Sequence, residues 1–265
     1  MEFKDLLTSR IKELSLKASN NSYITKLDFL SLSEQNIFYD ILKEEKLNKV
    51  PSKINDSTYI FFGGLDYLER KMLFFLPSYI SKEDFINEYA LDYISCIKIS
   101  PKNIKFSDTL THRDYLGALM NLGFSREKFG DILTDSSYAY LFVDSSISSQ
   151  ICSQLTKVKH TDIKCEIISC NDCNFTYNFI EKTIFIASNR LDNIIAEVYN
   201  LSRNQAQEII KDELVYIDGK TIISNSFEVK NDSRISVSKK GKFIFVGSNS
   251  TSRSGKLVCK VKIYN

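Results

Sequence analysis

Ser202 and Gln205 stand three residues apart, the spacing of a reciprocal helix cap, and Arg203 follows the cap directly. A helix start offers unpaired backbone N–H groups and the positive end of the helix dipole, so this residue order suits a phosphate, and Arg203 adds a planar fork of donors. Gln207 follows one turn later and can reach a 2′-hydroxyl or a base edge. Arg190 and Lys211 flank the same helix, and Lys220 follows the Asp218-Gly219 turn. The six residues Arg190, Ser202, Arg203, Gln207, Lys211 and Lys220 define a small polar face whose chemistry is binding, with no nucleophile and general base paired for catalysis.

Charge distribution extends this reading. The chain has 265 residues and a formal net charge of +2, because 35 basic side chains are nearly matched by 33 acidic ones. No acid occurs after Asp232, whereas Arg234, Lys239, Lys240, Lys242, Arg253, Lys256, Lys260 and Lys262 all do, so the last segment is electrostatically one-signed and suits a polyanion. Within it, Lys239-Lys240-Gly241-Lys242 adds a glycine that lets backbone approach a phosphate closely.

Other groupings carry less. His112-Arg113-Asp114 has the residue order of a kinase catalytic loop, but the metal-holding Asn expected five residues beyond the Asp is Leu119, and no Gly-rich phosphate loop is present. The triad is expected to cap and anchor a helix, with Arg113 available to RNA. Cys170-Asn171-Asp172-Cys173 supplies one half of a zinc spacing without a second pair, so the expectation is no metal, no cofactor and reduced, packing cysteines. The opening Met1-Glu2-Phe3-Lys4-Asp5 lacks a signal-peptide apolar region, and no run of about 18 apolar residues is available to span a membrane, so a cytoplasmic, non-membrane protein is expected.

The elements that must position these groups follow from periodicity. Apolar residues at 3, 6, 7, 11, 14 and 16 predict a helix over residues 2–18, and a second is predicted from Ser33 to Leu47. Tyr59–Phe62 running into Gly63-Gly64, and Met72–Leu76, read as strands. From Phe74 strands alternate with helices at 82–93, 112–122 and 147–157, which predicts a helix-backed sheet. Leu191, Ile194, Ile195 and Val198 mark a helix ending near Asn200, and Ala206, Ile209 and Ile210 give the next helix its apolar face. Val215–Ile217 and segments around Ile222, Val229, Ile235 and Phe243 complete a small sheet. The expected architecture is α+β in three small domains: an N-terminal α/β domain (1–75), a middle α/β sandwich (76–181) and a basic C-terminal module (182–265).

Arg190-Leu191-Asp192, then Leu201-Ser202-Arg203-Asn204-Gln205-Ala206, then Val215-Tyr216-Ile217-Asp218-Gly219 resemble the S-four RNA-binding domain. The chain departs from that pattern at Glu213, where the family commonly has Gly, at Asp218 in place of Asn, and at Asp232-Ser233 in place of Gly-Asp. Further upstream, Gly63-Gly64 with Glu69-Arg70-Lys71, His112 to Met120, and Arg126-Glu127-Lys128-Phe129-Gly130-Asp131 resemble the YlmH family, whose members carry a C-terminal S-four domain. The resemblance implies a middle domain similar to RNA-recognition folds. It also implies binding to rRNA of the large ribosomal subunit during rescue of stalled translation, with peptidyl-tRNA as a further contact.

On this basis the protein is expected to be a monomeric, non-enzymatic RNA binder, with Arg113, Arg126 and Lys128 of the middle domain as additional contacts. Two other classes stay open. S-four domains also accompany RNA-modifying enzymes, and the middle domain could instead serve a cell-division-linked protein interaction.

Overall fold

A computed structural model describes residues 3–45, 51–135 and 137–264. The fold is α+β, and the chain divides into two compact units, Met1–Phe175 and Thr176–Asn265. The boundary expected near residue 75 falls inside the first unit, at the end of the last strand of its first sheet, and the one near 182 falls within the strand that opens the second.

The first unit begins with α1 (Phe3–Asn21), which buries Leu7, Ile11, Leu14 and Ala18, while Leu6 and Leu16 remain exposed. It packs with α2 (Leu32–Glu45) on an antiparallel sheet ordered β1-β4-β3-β2, formed by β1 (Thr25–Leu30), β2 (Lys53–Ile54), β3 (Ser57–Phe62) and β4 (Lys71–Leu76). The predicted end of the second helix at Leu47 lies outside the described residues. The helix expected over 82–93 is α3 (Lys82–Asp84) and α4 (Ala90–Tyr93) joined through a π turn at Phe85–Tyr89.

The second sheet of this unit is ordered β6-β7-β5-β9-β8. Its strands are β5 (Ile94–Pro101), β6 (Phe129–Thr134), β7 (Ala139–Asp144), β8 (Lys157–Val158) and β9 (Thr161–Ile168), and α5 (His112–Met120) and α6 (Ser145–Gln154) cover one face. Thr111 caps α5 as its spacing predicts, with Asp114 accepting from the Thr111 N–H at 2.8 Å and from its hydroxyl at 2.7 Å. The two sheets meet where glycine permits it. A Cβ on Gly130 would stand 2.8 Å from the Phe29 ring, and one on Gly64, at φ +108°, would stand 2.7 Å from the Phe142 ring.

The second unit carries α7 (Leu191–Tyr199) and α8 (Arg203–Lys211) on one face of a six-stranded antiparallel sheet. The strands run in the order β10 (Phe179–Ile186), β15 (Leu257–Tyr264), β14 (Gly241–Thr251), β13 (Ser233–Val237), β11 (Val215–Ile217) and β12 (Lys220–Thr221). Ile235 and Phe243 lie in strands as expected, whereas Ile222 and Val229 lie in the loop between β12 and β13, Val229 still buried in the core. The sheet is larger than the sequence indicates because β10, upstream of the helix pair, pairs along all eight residues with β15 at the far end of the unit.

Candidate nucleic-acid interface

Asp192 organises the site. Leu191, Ile194 and Ile195 face the core and carry Asp192 into it with no exposed surface. Its carboxylate accepts from Arg190 Nε at 3.1 Å and Nη2 at 3.0 Å, from Arg203 Nε at 3.1 Å, from Gln207 Nε2 at 3.0 Å and from the Asn193 N–H at 3.0 Å. Burial opposes ionisation of Asp192, but the bonds from Arg190, Gln207 and Arg203 more than offset it and hold the group well below the usual carboxylate range. A buried, fully bonded carboxylate is thus the anchor for two cations that keep exposed edges: side-chain exposure is 36% for Arg190 and 58% for Arg203. Arg203 is held here through its Nε.

The helix start that carries Arg203 is built as its sequence predicts. Gln205 N–H donates to Ser202 Oγ at 3.2 Å, and the Ser202 N–H donates to Gln205 Oε1 at 2.9 Å. The backbone N–H groups of Arg203 and Asn204 lie in the first turn and have no acceptor within the helix. Lys211 is exposed at the other end of α8, about 12 Å along the axis at 1.5 Å per residue. Lys220 is exposed on β12 beyond the turn at Asp218 and Gly219, whose φ values of 46° and 82° fit a tight hairpin.

The three departures from the family pattern share a backbone cause. Glu213, Asp218 and Asp232 have φ of 60°, 46° and 61°, the left-handed region that Gly or Asn occupies with least strain. Asp218 is also used internally, its Oδ1 accepting from the Arg234 N–H at 3.1 Å.

Lys239 and Lys240 are exposed at the turn between β13 and β14, and Lys242 is exposed on β14. This turn is tied to the end of α7, with the Tyr199 hydroxyl donating to Gly241 O at 3.2 Å and Lys240 Nζ 6.0 Å from the Tyr199 ring centroid. Asp192 and Tyr199 are seven residues apart, roughly 10 Å along α7, so the turn is tied to the opposite end of that helix from the Asp192 cluster.

The residues expected from the first unit differ in setting. Arg113 is exposed on the first turn of α5, beside a groove also lined by Asn121, Gln154, Lys157 and Lys159. Arg126 and Lys128 turn inward. Arg126 Nη1 donates to Phe129 O at 2.6 Å, and Lys128 Nζ donates to Asp28 and Asp144, each at 3.0 Å. Lys26 joins the same pair of acids, and burial of Asp144, countered by Lys26, Ser146 and Lys128, leaves its carboxyl well below the ordinary range. These bonds, with Arg70 donating to Phe129 O at 2.9 Å and Phe29 O at 2.8 Å, form a polar seam between the two sheets.

Asp114, the acid of the His-Arg-Asp run, bonds first to Lys159, at 2.9 Å, and then to Thr111, which together hold it at about 2, so it is an engaged anion rather than a general base. Cys170 is buried with Sγ 3.7 Å from Ile94 O, and burial pushes its thiol up to about 12. Among the described residues no group of three or more His, Cys, Asp or Glu is placed to share a metal ion, and no helix is long and apolar enough to cross a membrane.

Residues 189–235, which contain the whole Asp192 cluster, match the S4 domain, and residues 88–172 match the family described as a putative RNA-binding domain in YlmH. Two segments of the chain are therefore similar to RNA-binding domains, the upstream one to a domain described as putative. The chain is YlmH-like. A curated relative, ribosome-associated protein quality control protein P2 of Bacillus subtilis (strain 168), is 29% identical over 181 residues. That match covers 67% of this chain and 66% of the relative, just under two thirds of its length. A solved structure, cell division protein ylmH from Streptococcus pneumoniae, aligns with a TM-score of 0.46 at 20% identity, covering 65% of this chain and 96% of that one.

Proposed function

We propose that this protein binds structured rRNA of the large ribosomal subunit without performing chemistry on it, and that it acts in rescue or quality control of stalled translation. The observation that carries the reading is the Asp192 anchor, which holds the part-exposed guanidinium groups of Arg190 and Arg203 in place, with Gln207 bonded to the same carboxylate, beside the start of α8. A fixed guanidinium pair beside a helix N-terminus suits a bent RNA backbone, because phosphates receive charge-assisted forks and a 2′-hydroxyl lies within reach of an amide. Lys211, Lys220 and the Lys239, Lys240 and Lys242 turn extend the cationic surface to further phosphates, and Arg113 adds a contact from the first unit. Linked contacts of this kind hold one site against abundant competing RNA through effective concentration. The name of the Bacillus relative supports a ribosome-associated role, and peptidyl-tRNA retained on the subunit is the natural further contact of a monomeric cytoplasmic factor.

Gradient fractionation across a salt series tests the reading. The full chain is expected with free large subunits, preferentially those retaining peptidyl-tRNA, and much less with intact translating ribosomes. Equal recovery from all ribosomal fractions contradicts it.

A further inference from the structure

The helices of the second unit cover one face of its sheet and leave the other open. Ile184, Val261, Phe243 and Ile235 point into the helix-covered core, so strand alternation turns their neighbours to the opposite face. There the cross-strand register sets Phe179 beside Tyr264, Lys260 beside Thr183, and Lys262 between Glu181 and Ile244, with Arg234 next to Ile244. Glu181 is the one acidic residue on the four strands β10, β13, β14 and β15.

This face alternates cations with aromatic rings. Tyr264 lies 4.9 Å from Phe179 and 5.1 Å from Tyr177, ring centroid to centroid, and Lys262 Nζ lies 6.0 Å from the centre of the Phe179 ring. At the other end of β10, Phe185 is 47% exposed beside a half-buried Val258, and Lys260 is exposed. A ring left this open on a surface so nearly free of acids is available as a stacking platform, and the surrounding charge suits a polyanion. Strands β10, β14 and β15 lie outside the S4 match, so this surface is separate from the Asp192 cluster.

We propose that the open sheet face binds a single-stranded RNA segment, with bases stacked on Phe185 and on the Phe179–Tyr264 rings and phosphates held by Lys260, Lys262 and Arg234. A duplex hides its base faces, whereas unpaired bases stack on protein rings and are tolerated in any sequence. The proposal rests on the protein being an RNA binder, but it does not depend on the helix face. The two surfaces would let one chain hold a folded RNA element and an adjacent unpaired strand.

The test is fluorescence anisotropy of the full chain with three labelled probes: a mixed-sequence single strand of about 12 nucleotides, a duplex of the same sequence, and folded large-subunit RNA. In Lys260→Gln/Lys262→Gln, single-strand binding should weaken about tenfold and its log–log salt slope should fall by about 1.4, two charges at 0.7 each. Phe185→Ala should weaken it at least about fivefold and Phe185→Tyr should restore it, which separates stacking from charge. Arg203→Ala/Lys211→Ala should instead weaken only the folded RNA. The inference is overturned if sheet variants with native circular dichroism and melting keep single-strand affinity within about twofold, if they lose duplex binding equally, or if the wild-type chain does not bind the single strand. Displacement of the single strand by a poly-glutamate peptide, lost in the same lysine variant, would assign the face to an acidic protein and also overturn it. Loss of single-strand binding in the sheet variants with folded-RNA binding intact in Arg203→Ala/Lys211→Ala would leave the inference standing and reject the helix face.

Discussion

Arg203 Nε donates to the solvent-inaccessible carboxylate of Asp192 at 3.1 Å, across the turn that joins α7 to α8. That bond fixes the direction of a guanidinium whose outer half stays in water, so the arginine is ordered before any ligand arrives. Ordering in advance reduces the entropy lost on binding. Asp192→Ala should therefore lower RNA affinity without removing a ligand-contacting group. Its stability cost should be about 2 kcal/mol, below the roughly 3–5 kcal/mol for leaving a buried charge unpaired, because both arginines can turn to solvent. Denaturant melts and RNA titrations read the two effects, and an unchanged affinity would show that the anchor has no role in binding.

Glu213 predicts a gain. It occupies a left-handed backbone position at φ 60°, close to the basic face, so Glu213→Gly should relieve strain and remove a like-charge penalty for phosphate together. A stabilisation of about 0.5–1 kcal/mol is expected from the backbone effect, offset in part by the greater freedom of Gly in the unfolded chain. RNA affinity should rise at low salt and converge with wild type at high salt. Lower affinity at low salt would contradict the placement of the RNA face.

Much of the second unit is legible in the sequence because its signals are local. The cap at Ser202 and Gln205, the apolar spacing from Leu191 to Val198 and the Asp218-Gly219 turn each act over a few residues. The pairing of β10 with β15 is not legible, since the partners are separated by nearly the whole unit and neither carries a mark of the other. Asp192 is visible in the sequence only as one letter of a motif, although Leu191, Ile194 and Ile195 around it are the signal of its burial. Arg126 and Lys128 show the converse. They read as exposed cations because an acid such as Asp28, 100 residues from Lys128, is invisible to local pattern.

Lys128 and Arg113 should consequently separate in their effects. Lys128→Ala should destabilise the first unit by about 1–2 kcal/mol, because it leaves the buried Asp144 with one fewer partner, and should change RNA affinity little. Arg113→Ala should leave melting unchanged and weaken binding. The opposite pattern would reverse the two assignments.

Asp144 also sets an acid limit. Its folded pKa lies below the unfolded value near 3.9, so its stabilisation is present above about pH 5 and is lost as pH falls through the folded pKa. Asp144→Asn should be less stable than wild type at neutral pH and should lose less on acidification. Parallel stability–pH curves for the two proteins would contradict the lysine–carboxylate seam.

Gly130→Ala probes the junction between the sheets. Its added methyl would meet the Phe29 ring at 2.8 Å and Phe142 Cβ at 3.1 Å, so it should cost about 1–3 kcal/mol through overpacking. A melt indistinguishable from wild type would show that the sheets yield freely there.

The salt dependence of affinity for purified large-subunit RNA tests the central claim most directly, with the full chain compared against Arg203→Ala/Lys211→Ala. Removing one phosphate-binding cation should flatten the log–log slope by about one. The expected result is a double variant with native circular dichroism, weaker binding and a slope reduced by about two. Unchanged affinity and slope in that folded variant would contradict an RNA face at the start of α8.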